Sequence, residues 1–218
     1  MPVDGRVARG DATRRIVLRR AVDIASVEGL DGLSLGRLAT ELELSKSGVF
    51  ALFGSKEELQ LAAVETASAI FAENVVEPTL EVEQGITRLR ALCANWLDYS
   101  ERRVFPGGCF FFNTGAEFDA RTGRVHDAVA KASRGFAQFI RSTVTEARKA
   151  GHLRESVDVN QLAFELNALG RAANADSVMF GGTEPYALAR AAITARLDAA
   201  AERGPVRSSR ISRGTDRS

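Results

Sequence analysis

A chain of 218 residues is long enough for one large domain or two modest ones, and it can bury roughly 70% of its unfolded surface. Hydrophobic residues make up 45% and charged residues 26%, ordinary values for a globular protein, and a formal net charge of +1 excludes a polycation. No window approaches about 18 uninterrupted apolar residues, so a membrane span is not expected.

The opening stretch MPVDGRVARGDATRR lacks the apolar core of a signal peptide, which points to a cytoplasmic protein. Residues 1–11 read as a flexible arm. A first helix from about Ala12 to Glu28 places Val17, Ala21 and Ile24 on one face, with Leu18, Val22 and Ala25 alongside. Gly29 supplies the stop, because only glycine enters a left-handed cap without a Cβ penalty. Arg6, Arg9, Arg14, Arg15, Arg19 and Arg20 lie along this stretch with little acid between them. For any one of them a solvated helix face is the plainer reading; as a cluster they are the cationic surface that a phosphate backbone attracts.

Leu35, Leu38, Ala39 and Leu42 then recur at the spacing of a short amphipathic helix, and Ser34 stands where a hydroxyl caps it. Glu43 to Ser45 leave room only for a sharp turn. Ser45 caps a second short helix from Lys46 to about Leu52, with Lys46, Ser47 and Gly48 on one side and Val49, Phe50 and Phe53 on the other. Two short helices joined by a tight turn, the second small-faced and cationic, describe a helix-turn-helix able to enter a DNA major groove. Ser55 caps a fourth helix that runs to about Asn74, before Pro78, and Glu58 three residues on completes a capping box.

Beyond Pro78 the pattern stays helical: Glu81 to Arg102, a short element from Cys109 after Pro106-Gly107-Gly108, Thr122 to Ala150, Val157 to Phe180, and Pro185 to Glu202. Residues from about Gly204 are polar and read as a disordered basic tail. The expected fold class is all-α, with a three-helix DNA-binding domain over 12–55, a helical effector-binding and dimerisation domain over 56–203, and the tail over 204–218.

This pattern resembles the tetracycline-repressor family of bacterial transcriptional regulators. The resemblance rests on Glu28-Gly29, on Ser34 through Leu38-Ala39, on Leu44-Ser45-Lys46-Ser47-Gly48-Val49-Phe50, and on Phe53-Gly54-Ser55-Lys56-Glu57-Glu58-Leu59. It covers roughly residues 12 to 65. The family often has Gly at the position of Glu43, Tyr at Phe50, and an aromatic residue or His at Leu52, so some phosphate contacts of the family are missing here. The resemblance implies a repressor that binds a palindromic operator as a homodimer, with a C-terminal domain for ligand binding and dimerisation.

On that reading Arg14, Arg15, Ser34, Ser45, Lys46, Ser47, Gly48, Val49, Phe50 and Lys56 are the candidate double-stranded DNA contacts. Gly48 would let the backbone approach closely, and Val49 would either touch a thymine methyl or pack against Leu38. A dimer interface is expected on the last two helices, at Leu162, Leu166, Leu169, Ala173, Leu188, Ala192, Ile193 and Leu197; the plainer reading spends these stripes inside one subunit. An unknown small apolar effector would meet Trp96, Phe105, Cys109, Phe110, Phe112, Phe136, Asn113, Asn167 and Arg171, although ordinary core is the commoner fate of any single aromatic residue. The fourth helix is the expected lever between effector and DNA.

No cofactor, metal site or catalytic residue is expected. Cys93 and Cys109 read as free thiols. A Cys109–His126 catalytic pair is conceivable, but neither the spacing nor a phosphate loop supports it. Two other readings stay open: a protein-interaction adaptor with a degenerate helix-turn-helix, and a thiol sensor using Cys109 at a helix N-terminus.

Overall fold

A computed structural model describes residues 5–201, and among these the regular elements are helices, with one isolated bridge between Leu153 and Ala201. The all-α expectation holds. The helices are α1 (Gly5–Glu28), α2 (Leu35–Glu41), α3 (Lys46–Phe53), α4 (Lys56–Phe71), α5 (Glu77–Leu80), α6 (Ile86–Glu101), α7 (Phe110–Phe118), α8 (Arg124–Lys149), α9 (Val159–Phe180) and α10 (Glu184–Ala200). Residues 1–4 of the expected arm and the tail over 204–218 lie outside the described residues.

Two boundaries differ from expectation. α1 begins at Gly5, so residues 5–11 belong to the first helix; Gly10 costs only about 1 kcal/mol relative to alanine, too little to stop it. After α4, the chain does not stop short of Pro78. It passes through a π turn at Ala72–Val76 and continues into α5 with Pro78 in the first turn. A proline ring clashes with the carbonyl four residues back in a regular α-helix, and the wider π turn relieves that contact.

The caps explain the early elements. The Ser34 hydroxyl accepts from the Arg37 N–H, Ser45 from Gly48 at 3.1 Å, and Ser55 from Glu58 at 3.1 Å. The reciprocal half of the expected capping box is not made, because the Glu58 carboxylate pairs with Arg124 at 2.6 Å. Between α2 and α3, Glu43 adopts φ +55° while Leu44 N–H donates to the Ala39 carbonyl. This is a Schellman-type stop with glutamate in the left-handed position that glycine favours, and it costs about 1 kcal/mol.

The amino-terminal core closes Val17, Ala21, Ile24 and Ala25 of α1 over Leu38, Val49 and Phe53, all buried. α1 also packs on α4 and α7, so the small domain sits directly on the larger one. The turn before α7 makes this close approach possible. A Cβ on Gly107 would overlap the Ser26 carbonyl of α1, and one on Gly108 would overlap Asn174 of α9. The pair of glycines therefore seats the start of α7 between the two domains.

Candidate nucleic-acid interface and internal cavity

On α3 the helical period sends Val49 and Phe53 inward, while Lys46, Ser47, Gly48, Phe50 and Ala51 are exposed. Val49 is only 1% exposed, so it packs in the core as the plainer reading had it and is not available to a base. Phe50 takes the outward position instead, at 56% exposure. Gly48 has a structural reason to be glycine: a Cβ there would stand 2.8 Å from the Ser45 hydroxyl that caps the helix.

The cationic cluster divides once its partners are seen. The Arg14 guanidinium donates to the Leu52 carbonyl at 2.8 Å and lies 4.6 Å from the centre of the Phe53 ring, so it clamps the end of α3 onto α1. Arg19 reaches the Val104 carbonyl, and Arg20 pairs with Glu41 at 2.7 Å. Arg15 and Lys46 are exposed, with no ion pair among the described residues. Lys56 is exposed, yet its ammonium donates to the Asp31 carbonyl at 2.6 Å. The side chains of Arg6 and Arg9 lie outside the described residues. Ser34 and Ser45 stand exposed at the helix starts they cap.

Arg37, on α2, joins Glu28 of α1 to Glu41 of its own helix. Its hydrogen bonds hold both carboxyls below their usual 4.5, and the two carboxylates in turn raise the guanidinium further.

Between α4, α6, α7, α8 and α9 lies a cavity of about 330 Å³. Of the expected effector residues, Trp96, Cys109, Phe112, Phe136, Asn167 and Arg171 line it. Phe105 and Phe110 do not; both are fully buried in the core beside it. Asn113 is also elsewhere: its amide donates to the Gly107 and Ser26 carbonyls, pinning α7 to α1. The wall contains Phe71, Ala72, Val76 and Ser68 from α4 and its π turn, together with Phe111, Phe139, Ser133 and Asn174. Phe71 meets Tyr99, Phe111 and Phe136 edge-on. Gly170 is required opposite, since a Cβ would overlap the Trp96 ring.

The two cysteines are buried and free. Burial drives the Cys93 thiol up to about 12. Cys109 does stand at the start of α7, where backbone N–H groups favour a thiolate, but desolvation outweighs them and its value is raised. No hydrogen bond among the described residues joins Cys109 to His126, which faces Asp127 at 3.0 Å. His152 accepts from the Ile86 N–H and so serves the start of α6.

α7 separates cavity from small domain. Phe111 and Phe112 face the cavity, whereas Glu117 accepts from the Leu30 and Asp31 N–H groups at 2.7 and 2.8 Å, at the turn between α1 and α2. Arg121 pairs with Asp31 at 2.6 Å. α8 adds Arg124 to Glu57 and Glu58 at the start of α4. None of these pairings was anticipated from sequence, because each joins residues more than 60 positions apart.

A capped helix-turn-helix seated on a helical domain with an aromatic-walled cavity defines a DNA-binding regulator with a separate ligand-binding domain. Comparison with known proteins agrees: residues 17–63 match the model of bacterial regulatory proteins of the tetR family, and residues 85–193 match that of the tetracyclin repressor-like C-terminal domain. The chain belongs to the tetR family of transcriptional regulators. It is 30% identical over 97 residues to the HTH-type transcriptional repressor NicS of Pseudomonas putida; the match spans 44% of this chain and 46% of that protein, under half its length. The fold is similar to that of a TetR regulator from Chloroflexus aurantiacus, with a TM-score of 0.82 at 24% identity over 89% of this chain and 98% of that one. It is also similar to AibR, solved with isovaleryl coenzyme A and operator DNA, with a TM-score of 0.67 at 18% identity over 84% and 96% of the two chains. Among the described residues no helix is long and apolar enough to cross a membrane.

Proposed function

We propose that the protein is a cytoplasmic repressor that binds a palindromic operator as a homodimer and leaves it when a small molecule fills the cavity. The observation that carries this reading is that α4 and α7 each touch both ends of the process. α4 supplies Phe71 and Ala72 to the cavity and begins directly behind α3. α7 supplies Phe111 and Phe112 and holds the turn between α1 and α2 through Glu117. A molecule that displaces either helix alters how α3 is presented. A coupling of about 1–3 kcal/mol changes operator affinity roughly 5- to 150-fold. The name of NicS supports repression over activation.

Lys46 and Ser47, at the free N–H end of α3, meet phosphate or base edges, and Phe50 replaces Val49 as the apolar contact to a thymine methyl. Arg15, Lys56 and Ser34 add phosphate contacts. Arg14 acts indirectly, by holding α3 in place.

The homodimer forms through α9 and α10, but apart from Leu188 on a different stripe from the one read in the sequence. Leu162, Leu166, Ala173, Ile193 and Leu197 are buried within the subunit, Leu169 and Ala192 are half-buried, and Leu188 is exposed. The outer faces carry Phe164, Ala168, Ala172 and Met179 on α9, and Leu188, Ala191 and Ala195 on α10. Phe164, Met179 and Leu188 are 69%, 76% and 64% exposed. Large apolar groups at helical spacing, interleaved with alanine, suit close packing against the same two helices of a second copy.

The test is binding to DNA flanking the protein's own gene, measured at several salt concentrations. Tight binding by two chains per duplex, falling steeply with salt, supports the reading. Absence of binding at low salt would favour the adaptor reading.

A further inference from the structure

Asn167, Arg171 and Asn174 follow one another by four and three residues along α9, so they form one stripe, and all three line the cavity. They supply the amides and the charge of a wall whose other polar side chains are the hydroxyls of Ser68 and Ser133 and whose largest groups are six aromatic rings. Asn174 is 2% exposed, and its Oδ1 accepts from the Cys109 N–H at 2.8 Å and the Ser100 hydroxyl at 2.6 Å. A backbone N–H can only donate, so the oxygen must be the atom facing it. That fixes the amide and turns Nδ2 the other way. Nδ2 is buried and has no hydrogen-bond partner among the described residues. Buried donors are nearly always satisfied, and this one lies just beneath the surface of a cavity that Asn174 helps to line.

Arg171 is the one charged residue of that wall, and it has no carboxylate partner among the described residues. Its guanidinium lies 5.4 Å from the centre of the Phe112 ring. Asp and Glu are absent from the lining among the described residues, so a cation would find ring faces but no carboxylate there, and Arg171 would repel it. An orphan N–H donor and a guanidinium that is exposed and free to pair, on one stripe of α9, together suit an acceptor that carries negative charge.

We propose that the effector is a compact amphipathic carboxylate, with its head on the Arg171 guanidinium beside the buried Asn174 Nδ2 and its apolar body among Phe71, Trp96, Phe112 and Phe136. This rests on the cavity being the effector site.

Trp96 is the only tryptophan in the chain and lies in the cavity wall, so its emission reports occupancy directly. The test titrates the full-length protein with three probes that share one body: 4-tert-butylbenzoate, 4-tert-butylbenzamide and 4-tert-butylbenzylammonium. The same titrations are followed by calorimetry. The carboxylate is expected to bind at least about tenfold more tightly than the amide, with the ammonium weakest. Arg171→Met should reduce the carboxylate-over-amide preference to about twofold or less. Asn174→Asp keeps the acceptor oxygen, replaces the donor with a second oxygen, and should weaken the carboxylate by a similar factor. Circular dichroism checks that both variants fold. If amide or ammonium binds as tightly as the carboxylate, the charge assignment is overturned while the cavity remains an effector site. If no probe alters Trp96 emission or releases heat at millimolar concentration, the effector-cavity reading falls with it.

Discussion

Glu117 offers a direct way to separate the two domains energetically. Its carboxylate accepts from the N–H groups of Leu30, whose side chain is fully buried, and of Asp31, which is exposed. Glu117→Ala removes both bonds. Water can take over at Asp31, so that loss is small. The Leu30 N–H is the more sheltered of the two, and an orphaned donor costs about 1–3 kcal/mol. The net expectation is about 2 kcal/mol, equivalent to a fall in melting temperature of roughly 4–8 °C for a protein of this size. Glu117→Gln keeps one acceptor oxygen and should lose about half of that. Gly29→Ala attacks the same contact from the other side: φ is +80°, and the added Cβ would stand 2.6 Å from a Glu117 carboxylate oxygen. The two single variants should therefore not add in the double variant. Thermal unfolding measures the stability. Operator binding with and without effector measures the coupling, which should shrink toward unity in all three. A melting temperature for Glu117→Ala within 1 °C of the parent, or full additivity with Gly29→Ala, would refute the argument.

Other consequences can be checked singly. Glu43→Gly relieves the left-handed strain of about 1 kcal/mol, partly offset by glycine's greater unfolded-state freedom, and should raise the melting temperature by about 1–2 °C, whereas Glu43→Ala should not. Glu28 and Glu41 have lowered values when folded, so their contribution is complete above the ordinary 4.5 and is lost as pH falls through the lowered values; urea unfolding repeated downward from neutral pH should show this acid limb, and Arg37→Met should flatten it. Cys93 and Cys109, buried and with raised values, should react with a thiol reagent at neutral pH far more slowly than an exposed cysteine; rapid labelling of native protein would restore the thiol-sensor reading.

What could be read in advance followed from how locally each feature is determined. Ser34, Ser45 and Ser55 cap helices through bonds to residues three positions away, so sequence was sufficient for α2, α3 and the start of α4. Asn167 and Arg171, named as polar effector contacts, do line the cavity. The arginine run was not legible. Partners such as the Leu52 and Val104 carbonyls lie far along the chain, and nothing in a run of arginines indicates which ones turn inward. α9 is apolar on two faces, so periodicity could not say whether Leu162 and Leu166 or Phe164 and Ala168 face the core. Phe71 escaped notice as a cavity residue because it sits at the edge of the π turn, which has no sequence signature. Phe105 and Phe110 showed the reverse problem: composition marks an aromatic cluster without separating its wall from its interior.

The most direct test of the central claim is a hydroxyl-radical footprint of the full-length protein on its own upstream DNA, made with and without saturating effector. Two exposed α3 helices in one dimer predict two symmetric protected tracts a whole number of helical turns apart, at the nearest about 34–36 Å, both fading when effector is added. A single unsymmetric tract, or a footprint that effector leaves unchanged, would contradict the account.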